Sequence, residues 1–532
     1  MSLLANLFRS VWARIAHRQE AGQASALLPE APEEADGLGT LSIERLLTIG
    51  RERLRAGDLM AAERYFGAAT GRAPNSSDAQ FYLGVALLRQ KRNEDAIDCF
   101  ALALYYAPDL LEARFQLGLA HLHLGRFDDA IEYFRKVIEL KPEHADAHCN
   151  LGYVLHKHLE ELDEAEAHLR RALELAPEKI ETRTNLAMVL DYRGESDAAL
   201  RIYERILQEN PDDPEARVNR ALILLARGDY ANGWADYEAR HRLHARRDFG
   251  LPEWDGASLG GRSIVVHAEQ GVGDEILFAS CVPDLIRQAD RVILECSDRL
   301  EALFRRSFPR AIVRSGKLDD PIDWLEEYAP VHCQLPIGSL PRWFRRDRGA
   351  FSGAGAYLQA DSRAVGEWRN RLAVTSKPAI GISWRGGVPA TRGRLRSVPL
   401  ELLKPLLERD AEFVSLQHGA QARDFEGMRG RVTVFPGVTD SPDELAALMG
   451  ALDLVVSVDN TTAQLAGALG HPVWIMLSAT PEWRYGSSGD SMPWYPSARL
   501  FRQGGEQRWE PVVERVADAL RNWGGRTGTG KN

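Results

Sequence analysis

Residues 109–142 read DLLEARFQLGLAHLHLGRFDDAIEYFRKVIELKP, and the order of small, aromatic and helix-stopping residues in them decides the fold of the first half of the chain. Leu117 and Gly118 come first, Ala130 with Tyr133 and Phe134 follows, and Pro142 closes the stretch. The same order recurs on both sides. Proline stands at Pro74, Pro108, Pro142, Pro177 and Pro211, at spacings of 34, 34, 35 and 34, and Ala62, Ala96, Ala130, Ala165 and Ala199 keep the same rhythm. Two residue types in one register define an internal repeat. A small residue is required where two helix backbones approach closely, and proline stops a helix because it cannot donate the next hydrogen bond.

With the Leu-Gly pairs at Leu83-Gly84, Leu117-Gly118 and Leu151-Gly152 and the aromatics Tyr65, Phe66 and Phe100, this pattern resembles the tetratricopeptide repeat, a unit of two antiparallel helices. About six units are expected over residues 42–247. The extra residue of the fourth, near His158 to Glu161, is expected in the turn between its helices, where added length costs least. The sixth unit carries Gly233-Trp234 in place of the crossing alanine and is expected to cap the array. Such arrays grip an extended peptide or a partner helix, so the first half reads as a binding module. Repeats that only dimerise or stiffen the protein are the alternative.

The 532 residues exceed one ordinary domain, and a 45% apolar, 27% charged composition belongs to folded protein. No run approaches the roughly 18 apolar residues that span a bilayer. The net charge of -10 is mixed along the chain and gives no reason to expect nucleic acid. Five scattered cysteines without a Cys-x-x-Cys pair fit a reducing, cytoplasmic setting and argue against structural zinc. Residues 1–41 read as a short amphipathic helix, with Leu4, Leu7, Phe8, Val11 and Ile15 at helical spacing among arginines, followed by a flexible acidic linker. That helix is suited to peripheral membrane contact, to docking a partner, or to packing on its own protein.

From Leu251 the period changes to strands alternating with helices. Strands are expected at 262–268, 291–296, 379–384, 412–417, 452–458 and 472–477, with a helix over 275–289. Residues 345–368, rich in Gly and charge, read as a crossing between two Rossmann-like halves that face each other across a cleft. Within this layout VHAEQGVGDEILFA, GISWRGG, SVDNTTAQLAGALGHPVWIML, PEWRYG and PWYPSARLFRQ occur in order. Together they resemble the GT-B glycosyltransferases related to bacterial heptosyltransferases (glycosyltransferase family 9), in the subset fused to tetratricopeptide repeats. The expected architecture is an α-solenoid followed by an α/β GT-B fold, its amino-terminal half over 251–360 and its nucleotide-sugar half over 361–525.

A sugar transferase must bind a nucleotide sugar, neutralise a leaving phosphate and deprotonate an acceptor hydroxyl. For the phosphate, SVDNTTAQLAGALG turns from a buried strand into a helix starting about Thr461, where free backbone N–H groups and the positive helix end meet an anion. Asp459, Asn460, Thr461 and Thr462 are the candidates there, with ordinary helix capping the alternative. A second contact is expected from the Gly-rich loop after 379–384, with Arg385, Arg392, Arg394 and Arg396, because guanidinium grips phosphate oxygens in two-pronged fashion. The resemblance singles out Arg396. Gln417 and His418 are candidates for the nucleotide base.

For the base, the resemblance implies Asp274, in the loop after the first strand; capping of the next helix is the alternative reading. Glu275 is the second candidate. Glu269, Gln270 and Gly273 are expected to shape the acceptor pocket, and Trp483, Arg484, Trp494, Tyr495 and Arg499 to wall the sugar site. The resemblance implies no metal and no cofactor beyond the nucleotide-sugar substrate. It often has histidine where this chain has Gln464.

The sequence reading is an inverting, cytoplasmic glycosyltransferase whose repeats recruit a protein acceptor, a surface or flagellar protein, for O-linked transfer. Its rivals are a transferase for lipopolysaccharide or polysaccharide and a repeat scaffold whose transferase half has lost catalysis.

Overall fold

A computed structural model describes residues 38–159, 161–351, 355–373, 377–387, 393–421, 424 and 432–524. The expected helix of residues 1–20, most of the linker after it, and Arg392 lie outside them. The chain divides into two compact units, Met1–Val189 and Leu190–Asn532.

The first unit holds the helix pairs α1 (Ile43–Arg55) and α2 (Leu59–Arg72), α3 (Ser77–Arg89) and α4 (Asn93–Tyr106), α5 (Leu111–His123) and α6 (Phe127–Leu140), and α7 (Ala145–Val154) and α8 (Leu162–Leu175). Helix α9 (Ile180–Tyr192) runs across the boundary between the units. Each second helix stops two residues before the repeated proline. The glycines of the repeat have a steric purpose. A Cβ on Gly50, Gly84 or Gly118 would lie 2.5, 2.6 and 2.6 Å from the ring of Phe66, Phe100 and Phe134 respectively, so each glycine seats an aromatic of the partner helix. Ala62, Ala96, Ala130 and Ala165 are fully buried at the crossings. The fourth repeat differs from expectation. Its extra residue does not lengthen a turn; Leu155–Leu159 form a π-helical segment that continues α7, which absorbs one residue without breaking the helix.

In the second unit α10 (Ser196–Glu209) precedes the sixth pair, α11 (Pro214–Ala226) and α12 (Tyr230–Tyr237). Pro214 opens α11 at the position where its missing N–H is harmless, with Asp213 as cap. At Gly233 even alanine would collide, since its Cβ would lie 2.7 Å from Leu225.

The α/β part contains β1 (Ser263–His267), α13 (Val272–Phe278), α14 (Val282–Gln288), β2 (Arg291–Cys296), α15 (Glu301–Ser307), β3 (Ile312–Ser315), β4 (Cys333–Pro336) and α16 (Pro341–Phe344). It continues with α17 (Ser362–Leu372), β5 (Ala379–Ile382), α18 (Lys404–Leu407), β6 (Glu412–Ser415), β7 (Val432–Thr433), α19 (Pro442–Ala451), β8 (Leu454–Val458), α20 (Thr461–Ala468), β9 (Val473–Leu477), β10 (Ala498–Arg502) and α21 (Glu510–Arg521). The strands form two parallel sheets, ordered β3-β2-β1-β4 and β10-β9-β8-β5-β6-β7. Both reverse direction of winding beside their first strand, between β1 and β4 and between β5 and β8. Ligands of doubly wound sheets bind at such switch points, outside the carboxyl ends of the strands.

Two expected boundaries move. The helix expected over 275–289 starts three residues earlier, at Val272, and is interrupted at Ala279–Cys281, just before Pro283. The crossing read over 345–368 includes the first half of α17, whose start is fixed by Asp361 accepting the Ala364 N–H at 2.9 Å.

Candidate functional site

The two switch points hold many of the sequence-selected residues. In the six-stranded sheet, the loop after β5 and the start of α20 lie side by side. Asn460 caps α20, accepting the Ala463 N–H at 3.1 Å, and its amide donates to Ser383 Oγ at 2.7 Å and to the Arg385 carbonyl at 3.1 Å. Gln417 serves the same loop. Its Oε1 accepts from Ser383 Oγ, Trp384 N and Arg385 N at 3.1, 3.0 and 2.7 Å, so the side chain expected to read a nucleotide base instead holds the β5 loop in shape. His418 is solvent-exposed, 3.5 Å from Asp440. Thr462 is buried, with its hydroxyl 3.4 Å from the Leu416 carbonyl, whereas Thr461 is exposed at the helix start. The first-turn amides of α20 have no acceptor within the helix, so backbone rather than side chains is what this end offers an anion.

Arg385 is exposed in the loop, as is Arg394. Arg396 is buried and lies 3.3 Å from Asp459 and 3.0 Å from Glu482. Arg484 is partly buried beside it, 2.9 Å from Asp274 and 3.7 Å from Glu482. Two guanidinium groups and three carboxylates thus form one chain, Asp459, Arg396, Glu482, Arg484, Asp274. Burial pushes the Asp459 carboxyl upward, and Arg396 offsets part of that. Burial acts to lower Arg484, but Asp274, Glu482 and Asp459 together hold it well above its ordinary value. Arg484 therefore stays cationic.

The link to Asp274 joins the two sheets at their carboxyl edges. Asp274 also reaches back to the Gly271 N–H at 3.4 Å, which makes it a helix cap as well. The glycines of GVGDE do not make the turn into α13. The left-handed residue is Gln270, at φ 65°, while Gly271 is extended. A Cβ on Gly273 would lie 3.3 Å from Thr461 Oγ1, so the glycine lets the starts of α13 and α20 touch.

Three further expectations are corrected. Glu275 turns away from Asp274, accepts the Ser297 N–H at 2.9 Å and is pushed up to about 7 by burial, so it caps the helix region after β2. Glu269 is bound by Arg240, with Oε1 2.6 Å from Nη2 and Oε2 3.0 Å from Nε, and accepts the Gly338 N–H at 2.8 Å; Gln270 lies against the Tyr237 hydroxyl. Both side chains are thus engaged by residues of the last repeat. Trp483 is core: its ring meets Trp234 edge-on at 5.4 Å and stacks with Phe278 at 6.5 Å, with Trp494 at 6.1 Å. Trp494 and Tyr495 are buried too, and Arg499 lies over Phe501, 4.8 Å from the ring centroid. Gln464, the departure from histidine, is buried between two tyrosines, donating to Tyr485 Oη at 2.8 Å and accepting from Tyr495 Oη at 2.9 Å.

Sequence reasoning missed Glu482, the carboxylate shared by both arginines, although it stands within the PEWRYG motif. It also missed Tyr237 and Arg240, whose only signal was the departure of the sixth repeat from the repeat pattern.

Tetratricopeptide-repeat family models match residues 47–110 and 111–180, and a second one matches 158–216. The chain carries tetratricopeptide repeats. It is 32% identical over 322 residues to Protein FlbA of Caulobacter vibrioides, across 56% of this chain and 54% of that protein. It thus spans about half the length of that curated relative. Among solved structures, a thermophilic tetratricopeptide-repeat protein of Thermus thermophilus is 26% identical, covering 34% of this chain and 97% of its own with a TM-score of 0.30. YrrB, a tetratricopeptide-repeat protein with an unusual peptide-binding site, is 18% identical over 35% of this chain and 97% of its own, with a TM-score of 0.28. No helix among the described residues is long and apolar enough to cross a membrane.

Proposed function

We propose that the α/β part is an inverting glycosyltransferase of GT-B type acting on a protein acceptor that the repeats recruit. One observation carries the reading. Asp274, in the first turn of α13 after β1, stands 2.9 Å from Arg484 and one residue from the contact with the start of α20, so a carboxylate and a helix end suited to an anion lie together. The chemistry follows from those groups. Asp274 accepts the proton of the acceptor hydroxyl as its oxygen attacks the sugar carbon. The bond from that carbon to phosphate breaks, and its electron pair leaves with the phosphate. The α20 amides, Arg396 and Arg484 take up the developing charge, and single displacement inverts the carbon. Arg396 and Arg484 are already oriented by Asp459 and Glu482, so little reorganisation is needed when an anion arrives.

The rival with an observation in its favour is the scaffold. Asn460, Gln417, Thr462 and Gln464 spend their polar atoms on internal hydrogen bonds. Nucleotide release separates the two. The full chain is incubated with UDP-, GDP-, ADP- and CMP-activated sugars; the transferase reading expects release from one donor class and its loss in Arg396→Ala. Release from none, with protein and lipid acceptors both supplied, contradicts it. Sugar appearing on lipid alone moves the acceptor to lipopolysaccharide.

A further inference from the structure

The sixth repeat is more than a cap. Two of its residues reach the loop Ala268 to Val272 that carries the backbone into Asp274. The Tyr237 hydroxyl lies 3.0 Å from Oε1 and 2.8 Å from Nε2 of Gln270. Arg240 holds Glu269 through two nitrogens, and its Nη2 also donates to Ser339 Oγ at 2.8 Å. Ser339 in turn donates to Glu238 at 2.9 Å. Glu269 accepts the Gly338 N–H, so the loops after β1 and β4, on the two sides of the switch point, are tied through a repeat arginine.

The anchor is rigid at its own end. Trp234, one turn before, is buried; its indole N–H donates to the Arg345 carbonyl at 2.9 Å, and its ring meets Phe278, Trp483 and Trp494. Those aromatics come from α13 and from the segments flanking Arg484. Tyr237 packs on the same cluster, 6.3 Å from Trp483. Arg240 has 5% of its side chain exposed, which makes its pairing with Glu269 a buried ion pair.

Gln270 explains why the loop needs holding. At φ 65° it occupies the left-handed region with a side chain that seldom adopts it, and the contact to Tyr237 is the visible compensation. Without it, nothing in the side chain of Gln270 favours this conformation. The turn at Gln270 sets where α13 begins, and hence where Asp274 points.

We infer that Tyr237 and Arg240 of the last repeat are positioning residues for the Asp274 loop, so that this repeat is wired into the transferase site instead of merely being tethered to it. The inference rests on the transferase reading for its purpose and on the observed contacts for its physical part. The consequence is that ordering of the last repeat, by its own stability or by a bound acceptor, sets the fraction of molecules with Asp274 in place.

The test uses the full chain with Tyr237→Phe, which keeps the ring and removes the hydroxyl, and Gln270→Asn, which suits the left-handed backbone but is too short to reach Tyr237. Amide hydrogen exchange over residues 268–276 should quicken about tenfold in both, with exchange over 77–140 unchanged, the size expected for one lost hydrogen bond. Sugar transfer should fall in parallel. Asp274→Asn should abolish transfer in a chain that keeps Tyr237 and Gln270. Unchanged exchange at 268–276 in both variants overturns the inference, as does faster exchange with wild-type transfer. A wild-type chain that transfers no sugar refutes only the transferase reading, and the exchange result still decides whether the repeat holds the loop.

Discussion

The helices beginning at Val272 and Thr461 each follow a buried parallel strand at a switch point, yet they solve the problem of their exposed first turn in opposite ways. Helix α20 is capped by Asn460, and the polar side chains around that cap bond to one another and to the β5 loop. Helix α13 starts at a glycine, is closed only by a 3.4 Å contact from Asp274, and lends that same carboxylate to Arg484. The first arrangement leaves backbone amides as the free chemistry. The second leaves a carboxylate whose partners can be exchanged. In the proposed transferase one would bind the anion and the other would move the proton.

The bond that unites the two is the most damaging to break. Arg484→Met takes the cation away from Asp274 and Glu482 and weakens the field on the buried Asp459, and is expected to cost about 3–5 kcal/mol in denaturant unfolding. A loss below about 1 kcal/mol would mean that the charge chain is not what joins the halves. Glu275 distinguishes the two starts by pH. Its folded carboxyl, at about 7, keeps a proton that the unfolded chain, at an ordinary 4.5, has released. Stability therefore falls as pH rises from 4.5 to 7, and Glu275→Gln removes the slope, with a gain of about 1–3 kcal/mol at pH 8 and almost none at pH 4. Thermal unfolding at the two pH values checks it. Asn460→Ala deletes the cap and the bond to Ser383, an expected loss of about 1–2 kcal/mol, and should also slacken the β5 loop. Gly273→Ala is the mildest. The added methyl presses on Thr461 while improving helix propensity, for a net change within about 1 kcal/mol, and its effect should appear in sugar transfer sooner than in melting temperature.

Much of this was legible in the sequence, and the limits have physical causes. The repeat register was visible because close helix crossings admit only small residues, as Gly118 against Phe134 shows. Strand positions were visible because parallel strands buried on both faces read as continuous apolar runs such as Val473 to Leu477. The start of α20 fell at Thr461 because Asn460 announces a cap. What sequence could not give was partnership. Glu275 and Asp274 are neighbours in the chain, and only the helix places one against Ser297 and the other against Arg484. Trp483 and Arg484 likewise part company, one into the aromatic core and one into the charge chain. The π-helical turn at Leu155–Leu159 was hidden because a one-residue insertion reads the same whether a turn or a helix takes it up.

Whether Asp274 acts at the α20 helix end in transferring sugar to protein is decided most directly by mass. Intact masses of surface and secreted proteins are to be compared between cells carrying the wild-type chain and cells carrying Asp274→Ala, with the variant shown to be folded and equally abundant. A sugar increment is expected on at least one protein in the first and is expected to be absent in the second. The same increment in both would contradict the role assigned to Asp274.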